Sequence, residues 1–271
     1  MEIIKLYQID AFTDKLFKGN PAAVCILNEW KDDKLMQSIA AENNLAETAF
    51  IVKKQLNLYE IRWFTPTVEV DLCGHATLAA AFVIFNYLDV NGGEILFYTL
   101  RSGVLIVTKK ENLISLDFPA DEFELCSSVE EIVLGIGTSP LEMYKGKSDY
   151  MVVLEKEEDV KKVVPEFEVL SKVKSRGIIV TAPGDSVDFV SRFFAPLSGI
   201  NEDPVTGSAH TTLIPYWAKK LHKKELIAHQ ISERGGVLFC IYKDSRVIIS
   251  GNAVLYLKGE ILLTENKNNP E

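Results

Sequence analysis

Three ionisable residues of this chain stand where proton transfer could be arranged. Glu47 lies in Leu45-Ala46-Glu47-Thr48-Ala49-Phe50, between an amphipathic segment and a β-rich one. A carboxyl group among apolar neighbours has its pKa raised toward the range where a general acid or base works. His75 follows Cys73-Gly74 at the head of a long apolar run, and Asp203 precedes Pro204-Val205-Thr206-Gly207-Ser208-Ala209-His210 at the head of another. Each also has an ordinary reading: a strand-border or turn-capping carboxylate, a histidine at a helix start, and an Asp-Pro turn former. Ser208 has no base placed beside it by any visible motif and is read as a binding group rather than a nucleophile.

The elements that must position these residues come in two copies. Arg62-Trp63-Phe64-Thr65-Pro66 leads into Cys73-Gly74-His75-Ala76-Thr77, and Arg192-Phe193-Phe194-Ala195-Pro196 leads into Thr206-Gly207-Ser208-Ala209-His210. The offset is 130 residues between the prolines and 133 between the glycines, so the second loop is three residues longer. Such self-similarity indicates two lobes on one plan. Each junction passes from a β-rich run through a Pro-marked turn into a helix start of small residues. Backbone N–H groups of Gly74, Gly207 and Ser208 are thereby offered to a small anion, because a glycine admits close approach. If the copies are pseudo-symmetric, the two loops face one another across a cleft. Arg62 and Arg192 recur too, and Arg62, on an alternating strand, is read as facing solvent or pairing with an acid.

Composition narrows the function classes. The net charge of -9 over 271 residues is spread along the chain, which argues against a nucleic-acid surface, since phosphate contacts need clustered Lys and Arg. Cys25, Cys73, Cys126 and Cys240 are scattered without a Cys-x-x-Cys pair, and there are four histidines, so neither a disulfide framework nor a structural zinc site is expected. The apolar run from Ala76 to Leu88 is too short to span a bilayer. The opening Met1-Glu2-Ile3-Ile4-Lys5 lacks the order of a secretory leader, and a cytoplasmic protein is expected.

Periodicity predicts strands from Ile3 to Phe12, Ala22 to Leu27, Thr48 to Val52 and Leu58 to Phe64, with a Gly19-Asn20-Pro21 turn and an amphipathic helix from Asp32 to Asn43. Gly74 to Tyr87 and Gly207 to Leu221 read as the two central helices, the second with a kink or distortion at Pro215. Later β segments include Gly177 to Thr181, Asp188 to Phe194, Leu226 to Ser232, Val237 to Tyr242 and Val247 to Leu257, and the tail from Glu265 to Glu271 reads as polar and frayed. Few helices among many strands exclude a doubly wound α/β fold. The expectation is an α+β protein of two pseudo-symmetric lobes, each a curved, mostly antiparallel sheet around a central helix. Residues 1–118 form the first lobe, carrying Glu47 and His75; residues 119–271 form the second, carrying Asp203, with a terminal segment able to pack back on the first.

Five motifs in order, Asn20-Pro21-Ala22-Ala23-Val24, Asn44-Leu45-Ala46-Glu47-Thr48-Ala49-Phe50, Arg62-Trp63-Phe64-Thr65-Pro66, Cys73-Gly74-His75-Ala76-Thr77 and Glu202-Asp203-Pro204-Val205-Thr206-Gly207-Ser208-Ala209-His210, resemble the PhzF-like family of phenazine-biosynthesis isomerases. The resemblance runs from the first strand to the last. It implies a fold similar to diaminopimelate epimerase, a homodimer, and an isomerase that needs no metal or organic cofactor. It places the proton-shuttling glutamate on Glu47, with His75 and Asp203 as partners that hold polar substrate groups and assist protonation. The substrate is expected to be a small carboxylate, with Gly74, Gly207, Ser208, Cys73 and Asn20 lining its site. Two other readings stay open: an amino-acid epimerase or racemase, and a non-catalytic small-anion binding protein. A racemase of the two-thiol kind would use Cys73, but the matching position of the second copy is Thr206, whose hydroxyl is too weak an acid for that role at neutral pH.

Overall fold

Alternating β-branched and aromatic residues make the strands of this protein, and two apolar runs make the helices they enclose. In the computed structural model, which describes residues 2–263, the first stretch of chain supplies β1 (Glu2–Ala11), β2 (Asn20–Leu27), α1 (Asp33–Asn43), β3 (Glu47–Gln55), β4 (Leu58–Phe64), β5 (Glu69–Val70), α2 (Gly74–Tyr87), β6 (Glu94–Tyr98), β7 (Val104–Lys110) and β8 (Leu113–Pro119). Next come β9 (Phe123–Leu125), α3 (Glu130–Ile136), β10 (Glu142–Gly146), β11 (Asp149–Val153), α4 (Glu157–Lys162), α5 (Phe167–Leu170), β12 (Gly177–Pro183) and β13 (Phe189–Phe194). The rest is α6 (His210–Leu221), β14 (Glu225–Gln230), β15 (Gly236–Lys243), β16 (Arg246–Gly251) and β17 (Ala253–Leu263). The polar tail expected from Glu265 to Glu271 lies outside the described residues.

Two compact units result, one of residues 2–17, 21–114 and 253–263, the other of 18–20 and 115–252. In the first, β1 runs antiparallel to β17, β2 parallel to β3, β3 antiparallel to β4, β4 parallel to β6 and β6 antiparallel to β7. In the second, β9 and β10 are antiparallel, as are β10 and β11; β11 is parallel to β12, β12 antiparallel to β13, β13 parallel to β14, and β14, β15 and β16 follow as antiparallel neighbours. A parallel pair needs a crossover, and the helices supply it: α1 between β2 and β3, α2 between β4 and β6, α4 and α5 between β11 and β12, α6 between β13 and β14. The second unit therefore repeats the topology of the first. The fold is α+β, each unit a mostly antiparallel sheet around a central helix.

Burial follows from this arrangement. In the first unit Met36, Ile39 and Ala40 of α1 form one cluster with Cys25, Leu27, Phe50, Val52 and Phe64. Ala49 and Ile51 alternate to the opposite face of β3 and are equally buried, on the side left for α2. Helix α2 is buried from Gly74 to Ala81 and again at Val83 and Ile84, and each large apolar side chain so enclosed contributes roughly 1.5–3 kcal/mol.

The repeated arginines are locks. Arg62 donates to both carboxylate oxygens of Glu69 at 2.7 and 2.8 Å, reaches Asp33 at 2.8 Å, and lies over the Phe64 ring. Arg192 grips both oxygens of Glu202 at 2.7 and 2.8 Å, donates to the Val163 carbonyl at 2.7 Å, and lies over Phe194. The three extra residues of the second loop fall between Pro196 and Glu202, where a 3₁₀ turn spans Pro196–Ser198. The distance in sequence from the locking glutamate to the following glycine is the same in both copies.

Three local expectations are corrected. Asn20 is not in a turn but is the fully buried first residue of β2. The run Val247 to Leu257 is two strands, β16 and β17, which belong to different units. The second central helix begins at His210 rather than Gly207. The Thr206 carbonyl, which the His210 amide would take in an α-helix, instead accepts the His210 ring at Nδ1 (2.8 Å); the amides of His210, Thr211 and Thr212 turn to the carbonyls three residues back, winding 207–209 as a tightened turn. In the first copy Thr77 stands at this position, and its small hydroxyl shares the Cys73 carbonyl with its own amide. Within α6, the Thr211 carbonyl that Pro215 cannot satisfy accepts the Asp121 amide at 3.0 Å.

His210 is wholly enclosed beside the Phe189 ring, and burial pushes its pKa down to about 4 despite the bond to Thr206. Its unfolded form binds a proton that its folded form refuses between about pH 4 and an ordinary histidine value near 6.5. Stability is therefore expected to fall as pH drops through that window, by up to about 3 kcal/mol from this group. Denaturant unfolding of wild type and His210→Asn, which keeps a donor for the Thr206 carbonyl, should show the slope between pH 5 and 6.5 reduced by up to about one proton in the variant.

Candidate active site

Glu47 opens β3, Cys73 is the N-cap of α2, and Gly74 and His75 are the first residues of that helix. The antiparallel pairing of β3 with β4, which sets Thr48 opposite Phe64, and the Arg62 lock on the following loop bring these stretches together within the first unit. His75 Nε2 lies 3.1 Å from Glu47 Oε2, and His75 Nδ1 lies 3.5 Å from Cys73 Sγ. Side-chain exposure is 6% for His75 and 12% for Glu47, so little water screens the pair. Although the sequence neighbours of Glu47 are apolar, its carboxylate faces an imidazole.

Burial alone would push His75 down. The charges of Cys73 and Glu47 and the hydrogen bonds to both act the other way and prevail, holding its pKa well above the ordinary histidine value. Burial, joined by the Glu47 charge, pushes the Cys73 thiol up, against the influence of His75 and of the Ala76 amide. The cluster thus joins a carboxyl group, an imidazole held protonated by its two neighbours, and a thiol.

Carboxylate, imidazole and thiol are also zinc-ligand types, and one donor atom from each lies within 4.8 Å of the others. The imidazole, however, stands between its neighbours with a different nitrogen toward each.

The remaining sequence-predicted residues lie in the second unit. Asp203 follows β13, its amide bonded to the Phe193 carbonyl. Its carboxylate accepts from Asn20 Nδ2 at 2.8 Å and from the Thr206 hydroxyl, while Asn20 also donates to the Val205 carbonyl at 2.9 Å. Gln230, which sequence reasoning did not single out, ties the loop from both sides: its amide nitrogen donates to the Asp203 carbonyl and its oxygen accepts the Thr206 amide, each at 2.7 Å. Gly207 and Ser208 lie in the tightened turn before α6, and the Ser208 hydroxyl accepts from Arg176 at 2.7 Å. Arg176 was also missed; the signal available was its place directly before Gly177, at the start of a predicted strand.

Comparison with known proteins gives a consistent picture. A family model described as phenazine biosynthesis-like protein (PhzC-PhzF) matches residues 9–259. The chain is 49% identical to the uncharacterized isomerase PA3578 of Pseudomonas aeruginosa, across 96% of this chain and 99% of that protein. It is 51% identical to a crystal structure of a phenazine biosynthesis protein of the PhzF family from Enterococcus faecalis, with a TM-score of 0.93 over 97% of this chain and 100% of the other. A hydroxyproline epimerase from Agrobacterium vitis, at 8% identity and a TM-score of 0.63 over 97% of this chain and 94% of its own, shares the fold.

The His75 imidazolium gives a direct test. Nitrogen-edited NMR should show it titrating above an ordinary histidine, and Glu47→Gln should move that titration down by removing the anion. A folded pKa above the unfolded one means stability that is complete below the unfolded value and lost as pH rises through the folded one; Glu47→Gln should weaken that loss.

Proposed function

Because this chain belongs to the PhzC-PhzF family of phenazine biosynthesis-like proteins, whose relatives include isomerases, we propose that it is an isomerase that moves a proton within a small carboxylate substrate through Glu47. The observation that carries this reading is the 3.1 Å Glu47–His75 contact, which couples a base to a proton donor in a nearly water-free setting. Glu47 takes a proton from an activated carbon and becomes neutral. The same proton, or one from His75, returns to another carbon of the molecule, and the carboxylate–imidazolium pair is restored. Both groups belong to one unit and one cluster, which favours removal and return on the same side of the substrate, the geometry of a shift between two carbons. Asp203, held by Asn20 and Thr206, is assigned to polar groups of the substrate, as the family resemblance implies, with Gly74, Gly207 and Ser208 offering amides to its carboxylate.

An epimerase is the second reading, favoured by the 3.5 Å approach of Cys73 to His75. Inversion at one carbon needs groups on opposite faces. The position matching Cys73 in the second repeat is Thr206, whose hydroxyl already donates to Asp203, which weighs against a second proton carrier there. Homodimerisation belongs to the same family-based reading, and sedimentation at micromolar concentration should give about twice the mass of the chain.

The test is proton exchange. Small amino, hydroxy and unsaturated carboxylates incubated with the enzyme in deuterated water should reveal a substrate by label uptake. With that substrate, Glu47→Gln should lower turnover by roughly 10²-fold or more while binding persists, and His75→Ala and Asp203→Ala should lower it too. Deuterium at a carbon distinct from the one deprotonated supports isomerisation. Label at the same carbon with inversion, abolished by Cys73→Ala, supports the epimerase. Undiminished turnover in Glu47→Gln overturns the assignment.

A further inference from the structure

Glu47, Cys73 and His75 bring a carboxylate, a thiol and an imidazole to one spot within the first unit. Among the described residues no other three His, Cys, Asp or Glu side chains converge in this way, although the chain has 38 acids, four histidines and four cysteines. Zinc holds nitrogen and oxygen at about 2.1 Å and thiolate sulfur at about 2.3 Å, so ligand atoms on neighbouring tetrahedral corners stand about 3.4–3.6 Å apart. Two such edges are close to formed: 3.1 Å from His75 Nε2 to Glu47 Oε2, and 3.5 Å from His75 Nδ1 to Cys73 Sγ. They fall on different ring nitrogens, so a metal on either one needs the third side chain to swing inward. All three donor atoms already lie within 4.8 Å of one another, which leaves that side chain about 1 Å to move.

Two further features suit a metal. Cys73 is the N-cap of α2, and the Ala76 amide beside its sulfur favours the anion, which is the form a metal binds. Cys73 and His75 are enclosed, whereas Glu47 keeps 12% of its side chain exposed. The carboxylate therefore marks the way in from solvent and the side on which a water can complete four ligands.

We propose that Glu47, Cys73 and His75 form a zinc(II) site, and that zinc bound there switches the proton transfer off. The site stands on its own geometry; its regulatory consequence rests on the isomerase reading. On binding, the sulfur, one imidazole nitrogen and one carboxylate oxygen become ligands, and the thiol and imidazolium protons pass to solvent. Zinc stays divalent, and nothing is oxidised or reduced. The carboxylate that would accept a substrate proton and the imidazole that would return one are then both held by the ion. Zinc is thus an inhibitor here and not a cofactor, because occupancy and catalysis claim the same lone pairs.

The experiment titrates the full chain, freed of metal by chelator, with cobalt(II) as a spectroscopic probe. One equivalent should give the near-ultraviolet absorption of a thiolate–cobalt bond and the strong visible bands of a four-coordinate ion, both removed by zinc. Cys73→Ser should lose the near-ultraviolet absorption. Glu47→Gln and His75→Ala should each weaken cobalt binding by about 10²-fold or more, since loss of a supporting contact alone costs about 10–100-fold. Cys126→Ser, which alters a partly exposed thiol of the second unit, should bind as wild type. X-ray absorption at the zinc edge of the wild-type chain, which needs no variant, should show one sulfur at about 2.3 Å beside nitrogen and oxygen ligands. No sulfur ligand, thiolate absorption that survives Cys73→Ser, or absorption lost in Cys126→Ser overturns the site. Turnover of the substrate found by label uptake should fall in step with zinc occupancy and return with chelator; turnover indifferent to bound zinc overturns the inhibition. If the metal binds these three side chains while Glu47→Gln turns over normally, the isomerase reading fails and the metal site stands. If the metal signatures are absent while Glu47→Gln abolishes turnover, the metal site fails and the isomerase reading stands.

Discussion

The interaction on which the rest of the structure depends is the buried arginine that grips a glutamate of the loop after its own strand. Removing two charges from water is costly, and a buried ion pair adds little net stability. Its value here is geometric. A bidentate guanidinium–carboxylate pair fixes both distance and plane, and the ring beneath each arginine, Phe64 or Phe194, closes the remaining side. Loop length varies only before the locked glutamate, where the 3₁₀ turn Pro196–Ser198 absorbs the insertion. After it, the spacing to Gly74 and Gly207 is constant, and the candidate site residues Cys73, His75, Asp203 and Ser208 all lie within six residues of a lock.

Beyond the locks the copies diverge in a chemically ordered way. Thr77 and His210 occupy matching positions and make the same bond, to the carbonyl four residues back, at 2.6 and 2.8 Å. The larger imidazole displaces the main-chain amide from that carbonyl, which is why α2 begins as an α-helix at its glycine and α6 three residues later. Burial of His210 costs it the ability to charge, whereas at His75 the influence of Cys73 and of Glu47 outweighs burial. Two histidines buried to similar depth are driven in opposite directions by the presence or absence of those two neighbours.

How much of this could be read beforehand follows from which interactions are local. The apolar run Gly74–Tyr87, the repeated Arg-aromatic-Phe-x-Pro phrase and the alternating strands are local patterns, and the α+β architecture was legible from them. Glu47 and His75 were legible as candidates, but their 3.1 Å approach depends on pairing between β3 and β4 and on the lock between Arg62 and Glu69. Arg62 reads as an ordinary strand arginine until Glu69 and Asp33 are seen around it. Arg176 was invisible for the same reason, since Asp149 and Ser208 lie 27 and 32 residues away in sequence. The run Val247–Leu257 shows no strong break in its apolar character, and only its contacts reveal that its halves belong to different units.

Charge balance ties these observations to the chemistry. A chain of net charge -9 repels anions on average, but at physiological ionic strength the field of distant surface charge is screened beyond about 8 Å, so only local groups decide whether a carboxylate is admitted. Glu47 is offset by His75, and Asp149 by Arg176. Neither cluster presents an unbalanced negative charge, and each keeps donor hydrogens: the imidazolium and thiol in one, two guanidinium N–H groups and a hydroxyl in the other. Asp203 accepts from two donors, Asn20 and Thr206. Each of these acids is thus met by partners of its own unit, so local groups rather than the overall charge set the field around each cluster.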